Sequence, residues 1–515
     1  MHVTYVYLRR RNSFLRKLQG PESTSFLLGN EGDLRYQNEV GDNEFEWVRK
    51  YGTAWRRSGP LGVNHLSLVD PKALQYILHT SGYNFPKGRE VRQTIKLVVG
   101  KGIIWTHGTE HQRQRKIMTP SFFAPQLKTF LPLFLNVALK LTQKWKDEVI
   151  SLDPTGQPVI NVTTWLSRTT LDIIGEAGFD FHFGSLDNEK TPLASQYENL
   201  FIDSTLYPSR FDLVFKALWR YIPEHLLHYV RYLPSREYRR FRTFLDFSDN
   251  FSRDIVREST ERSGGKDMIS VLLRANASEN PTNKLTDDEV IAQITSLLLA
   301  GHDTTANSLT WFLWEVAKHP ESQERIRAEI ATFRERKGEE QPSVVDLDNM
   351  TYTQAALKES MRLHPIVWIL RRVAGRDDMI PLAFPITTKS GEQISSVPIK
   401  KGTPIDIHVD AYNRDEWNPN RFLDPDKKQT SVGVFANLSP RLTRRAAGGL
   451  RGCIGWRFSV LELLVLATTL LENFEFSLPP QTEKTRIYRK PSIIMYPMRE
   501  TEPGSWMGLV VKALK

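Results

Sequence analysis

The chain has 515 residues, of which 40% are apolar, and a net charge of +10. Its single cysteine excludes an internal disulfide framework and any zinc or iron–sulfur site built from several cysteines. No run of about 18 apolar residues occurs, so no membrane span is predicted. The positive charge suits nucleic acid, an anionic membrane or an acidic protein partner, but no nucleic-acid motif accompanies it.

The first 20 residues are basic (Arg9, Arg10, Arg11, Arg16, Lys17) and lack an apolar segment of signal-peptide length. No linker, repeat or low-complexity block interrupts the rest, which reads as one large, mostly helical domain with short strands. Thr286-Asp287-Asp288-Glu289 is a capping box, with Leu285 and Val290 spaced as a hydrophobic staple. It opens a proline-free helix to about Lys318, roughly 45 Å long at ~1.5 Å per residue. Ala300-Gly301-His302-Asp303-Thr304-Thr305 interrupts this helix with polar residues that compete for backbone hydrogen bonds. A solvated polar turn and a functional insert both fit that pattern. A second helix is predicted from Tyr352 to Leu363, ended by His364-Pro365, with Glu359 and Arg362 on one face.

The lone cysteine lies in Gly449-Leu450-Arg451-Gly452-Cys453-Ile454-Gly455, followed by an apolar helical stretch. The glycines allow close approach of a flat ligand, and Arg451 suits an anionic group on it. A helix start beside the sulfur favours thiolate over thiol. Three roles are open to Cys453: an inert buried residue, a nucleophile with a base brought from elsewhere, or the sole axial ligand of a metal cofactor.

Together and in order, these segments resemble the cytochrome P-450 family of haem-thiolate monooxygenases, in a form closest to fungal microsomal members. The likeness spans about residues 20 to 497. It rests on the oxygen-helix motif at 300–305, Glu359-Ser360-Met361-Arg362, Pro419-Asn420-Arg421-Phe422, and the cysteine loop Gly449-x-Arg451-x-Cys453-x-Gly455. The resemblance implies a mainly α, single-domain cytochrome P-450-type fold with small β-sheets and a long central oxygen-binding helix. Residues 1–20 then read as the remnant of a basic linker without its membrane anchor, and residues 21–515 as the haem domain.

By the same resemblance, Cys453 is the axial thiolate of haem b (iron protoporphyrin IX). Asp303 and Thr304 are the proton-delivery pair, and Gly301 makes room for dioxygen. Glu359, Arg362 and Arg421 form a buried structural triad. His111, Arg115, Arg372 and Arg451 bind the haem propionates, with Arg113 and Arg371 as near-register rivals, and Gly455 belongs to the cofactor-binding loop. The implied reaction inserts one oxygen atom of O₂ into a lipophilic substrate, with electrons from NADPH-cytochrome P-450 reductase. The implied location is the cytosolic face of the endoplasmic reticulum, with peripheral membrane contact and no nucleic acid. Substrate choice is expected from residues 85–105, residues 201–229, and Val367, Trp368 and Ile369, the last three fitting a place in the core equally well.

Three departures stand out. Ala446 occupies the position where the family has a phenylalanine that shields the sulfur. Residues 439–445 are unusually basic, and residues 413–418 form a shortened stretch. Either splice sites are misread in this sequence, or the chain is a degenerate relative with impaired haem binding that acts as a binding protein. A cysteine-nucleophile hydrolase is the third reading.

Overall fold

The computed structural model describes residues 13–23, 25–187, 192–197, 200–261, 264–412, 416–423, 449–480, 486–500 and 504–514. Ala446, the basic stretch 439–445 and positions 413–415 lie outside these residues. The architecture is mainly α with small sheets.

In chain order, the elements that position the site begin with α1 (Glu31–Arg35), β1 (Ala54–Ser58), β2 (Asn64–Leu68), α2 (Arg89–Val99) and α3 (Gly108–Met118). Then follow α4 (Ala124–Lys144), α5 (Val162–Phe179), α6 (Arg210–Leu218), α7 (Arg236–Glu261), α8 (Asp287–Lys318) and α9 (Thr351–Leu363). The chain continues through β3 (Ile369–Val373), β4 (Pro404–His408), α10 (Trp456–Asn473), β5 (Tyr488–Pro491) and β6 (Met495–Met498).

The helix α8 is the axis of the core. Thr286 caps it as predicted: the Glu289 N–H donates to the Thr286 hydroxyl at 3.3 Å, and the Thr286 N–H donates to the Glu289 carboxylate at 3.0 Å. Leu285 and Val290 are both buried. Between Val290 and Ala317 the only acidic or basic side chains are His302, Asp303 and Glu315, so nearly every face of the helix can enter the interior. The helices α5, α7, α9 and α10 pack around it. Phe458, in the first turn of α10, meets Phe130 and Phe134 of α4 edge-on, with ring centroids 5.9 and 5.0 Å apart. These contacts fix the start of α10, and with it the cysteine loop just before.

A four-stranded sheet in the order β1-β2-β4-β3 covers a smaller second core. The β2–β4 pair is parallel and the other two are antiparallel. The strands β5 and β6 form a separate hairpin in which Tyr496 opposes Lys490.

The structure brings Glu359, Arg362 and Arg421 together. Arg362 donates to both carboxylate oxygens of Glu359, at 2.7 and 2.8 Å, and Arg421 donates to one of them at 3.0 Å. The Asn418 N–H adds a bond at 2.7 Å. Both guanidiniums also reach the Glu416 carbonyl, at 3.2 and 3.0 Å. One fully buried carboxylate thus ties α9 to the 416–422 segment. Removing its charge takes from two guanidiniums, one of them buried, the carboxylate they share. Glu359→Gln is therefore expected to lose about 3–5 kcal/mol, read as a fall in soluble yield and melting temperature. Unchanged melting would contradict a structural role for the triad.

Candidate active site

Cys453 sits two residues before Gly455, which caps α10. The residue keeps accessible surface although protein surrounds its sulfur deeply. Burial pushes the thiol above its ordinary value and outweighs the opposing pull of the Gly455 N–H and the Arg115 guanidinium. The Gly455 N–H at the helix start acts in favour of the thiolate, as expected, but burial outweighs it. Gly455 contributes its N–H to the sulfur, and a side chain at that position would meet the Phe122 ring at 3.4 Å. No histidine is among the groups acting on Cys453, so the nucleophile reading lacks its base.

Around the loop, cations converge. Arg115 donates to the Gly452 carbonyl at 2.7 Å, and Arg451 donates to the Thr106 carbonyl at 3.3 Å and lies over the Tyr83 ring. Arg372 is pushed down to about 10 by burial and by Arg451. Lys87, bonded to the Ile104 carbonyl at 2.6 Å, is pushed well below its ordinary value by burial and by Arg372, Arg451 and Arg92. Among the described residues no carboxylate acts on Arg372, Arg451 or Lys87, and two nitrogens of Arg451, Nε and Nη2, are buried without a hydrogen-bond partner. A flat ligand carrying two carboxylates and a metal that takes one thiolate fits this donor set, as haem does. His111 is buried and shares a 2.9 Å hydrogen bond with the Tyr83 hydroxyl. Burial, Arg451, Arg115 and Lys87 lower it to about 3, so it enters the cluster as a neutral ring.

The register rivals separate cleanly. Arg113 pairs with Glu289 and the Lys284 carbonyl, away from the sulfur, whereas Arg115 acts on it. On β3, Arg371 reaches Glu31 while Arg372 meets Arg451, as alternation along a strand requires. Lys87 and Tyr83 carry no motif, and sequence reasoning missed both.

The middle of α8 presents an open stripe at Ala300, Gly301, Thr304 and Ser308 within an otherwise buried stretch. Thr305 shares a 2.8 Å hydrogen bond with Ser459 of α10, which locks the stripe in register with the helix that follows the cysteine loop. The Thr304 hydroxyl donates to the Ala300 carbonyl at 2.7 Å. Asp303 points elsewhere: its carboxylate is buried and accepts a 2.6 Å hydrogen bond from the Tyr496 hydroxyl on β6. Burial raises the Asp303 carboxyl, while His302 and Tyr496 oppose the shift. No hydrogen bond joins Asp303 to Thr304, and Tyr496 is a site residue that no local motif announces. A Cβ on Gly301 would lie 2.9 Å from Ile174, so the small size of this residue also serves the close approach of α8 to α5.

A cavity of about 330 Å³ draws its walls from all three stretches expected to select substrate. Val91, Ile95 and Ile104 come from the first, Leu213 and Ala217 from the second, and Val367 and Ile369 from the third. Trp368 is not among them. It is fully buried and donates to the Ser492 carbonyl at 3.1 Å, so it belongs to the core. Among the described residues no single helix is long and apolar enough to cross a membrane.

Comparison with known proteins agrees with this geometry. The family model described as Cytochrome P450 matches residues 19–501. The curated relative Cytochrome P450 monooxygenase claU from Ampulloclitocybe clavipes is 31% identical over 527 residues, covering 98% of this chain and 94% of its own length. Cytochrome P450 monooxygenase 205 from Postia placenta is 32% identical over 529 residues, covering 97% and 93%. A match over nearly the whole chain, together with a lone cysteine beside a cluster of cations lacking carboxylates among the described residues, means that this chain belongs to the cytochrome P450 family of monooxygenases.

Proposed function

We propose that this chain inserts one atom of dioxygen into a lipophilic organic substrate, using electrons that an NADPH-dependent cytochrome P450 reductase delivers singly. The observation that carries this reading is the open stripe at Thr304 held in register with the Cys453 loop through Thr305 and Ser459. Cys453 would hold the iron of haem b; Arg115, Arg372, Arg451 and Lys87 would neutralise its propionates, and His111 would offer a ring N–H. The bound haem supplies dioxygen binding and reductive activation, which the thiolate promotes.

The chain's own part is positioning and proton movement. Thr304 presents a hydroxyl on the open stripe and can pass a proton inward once it leaves the Ala300 carbonyl. Asp303 holds the proton source behind it, with Tyr496 fixing the carboxylate. Transfer between the two needs a bridging water, because their side chains do not touch. Apolar walls at Ile95, Ile104, Val367 and Ile369 favour a lipophilic substrate.

Attachment to the cytosolic face of the endoplasmic reticulum belongs to the same reading. Phe26 is 71% exposed and Phe211 is 72% exposed. The Tyr36 hydroxyl donates to the Pro208 carbonyl at 2.6 Å, which brings the neighbourhoods of these two rings together. Exposed aromatics grouped in this way suit a face resting on a lipid surface.

Thr304→Ala should keep NADPH oxidation going while product falls at least several-fold and hydrogen peroxide rises, measured with the reductase and a lipophilic substrate that the unaltered chain oxidises. Unchanged coupling would contradict the role of the hydroxyl. Tyr496→Phe removes a bond that favours ionised Asp303, so the carboxyl rises further. The alkaline limb of the coupling profile, where a proton-delivering carboxyl is lost, should move to higher pH, and an unmoved profile would contradict the positioning role of Tyr496.

A further inference from the structure

At one end of the 330 Å³ cavity the apolar wall gives way to buried charge. Arg35, Arg57 and Arg371 surround one carboxylate, Glu31, at 3.2, 3.1 and 2.6 Å. Behind them Asp406 pairs with Arg57, lies 3.9 Å from Arg371, and accepts from or shares a proton with His65 at 2.8 Å. Arg57 and Asp406 are almost wholly buried, and burial keeps His65 below its ordinary value and so neutral at pH 7. Glu90 acts on Arg371 as well as on Arg220, so among the described residues this wall sets five cations (Arg35, Arg57, Arg371, Lys216, Arg220) against four carboxylates (Glu31, Asp406, Glu90, Glu237), an excess of one positive charge. Arg371 Nε is also buried without a hydrogen-bond partner. Lys216 binds Glu237 at 2.6 Å, and Arg220 lies 3.6 Å from Glu90.

An excess cation in a low-dielectric pocket is unfavourable until an anion meets it. We propose that this end of the cavity is an anion anchor, and that the chain's ligand is a lipophilic carboxylic acid whose carboxylate meets Arg35 and Arg371 while its apolar body lies along Val367, Ile369 and Ile95. The planar guanidinium fork matches a carboxylate. The proposal rests on the monooxygenase reading only in taking this cavity as a substrate site.

The test is equilibrium dialysis of the haem-loaded full chain against saturated fatty acids of ten to sixteen carbons and the methyl esters of the same acids. It reads binding without turnover, so an inactive preparation that still prefers acids would count against the proposed reaction and leave the anchor standing. At least one acid should bind about tenfold or more tightly than its ester at pH 7.5. Arg35→Gln leaves four cations facing four carboxylates and should bring that ratio close to one, whereas Arg35→Lys should keep most of it. Circular dichroism checks that both variants are folded. Equal or tighter binding of the esters, no binding of any acid, or a ratio unmoved by Arg35→Gln would each overturn the anchor.

Discussion

Positive charge held out of water is the constraint on which the site depends. Lys87, Arg92, Arg115, Arg372 and Arg451 act on one another or on the sulfur, and among the described residues no carboxylate acts on Lys87, Arg372 or Arg451. Like charges at close range in a low dielectric repel strongly. The folded chain tolerates them because large apolar cores around α8 and beneath the sheet hold the surrounding elements in place. A dianionic ligand relieves the repulsion, so cofactor binding and site stability are one event in physical terms. Burial also raises the thiol of Cys453, which suits it poorly to act alone as a nucleophile.

Strand β3 divides this charge between two places. Arg371 and Arg372 are neighbours in sequence and point to opposite faces. Arg372 joins the cations near the cysteine loop, and Arg371 joins Glu31 at the cavity wall. One short strand thus supplies a guanidinium to each of two anion-favouring surfaces. The long helix α8 does comparable work for protons: Asp303 faces Tyr496 in the interior, and Thr304, one residue on, lies on the open stripe.

The parts legible in the sequence were those with local spacing. The Thr286 capping box fixed the start of α8, the Glu359–Arg362 pair lies one helical turn apart, and Cys453 stands just before an apolar helix. What stayed hidden depends on distant chain segments meeting. Tyr496 reaches Asp303 across 193 positions, and Tyr83 and Lys87 join the cationic cluster from ahead of α2. The packing of Gly301 against Ile174 is likewise a contact that only helix packing reveals. For Trp368 the sequence left substrate contact and core equally open, and the partner of its indole N–H at Ser492 decides for the core.

The account stands on Cys453 as a thiolate ligand of haem. The most direct measurement is the carbon-monoxide difference spectrum of the purified, reduced full chain. The account predicts the strongly red-shifted Soret band of thiolate-ligated haem. A band at the position of haem with a neutral axial ligand, or no haem band in protein supplied with haem, would contradict it.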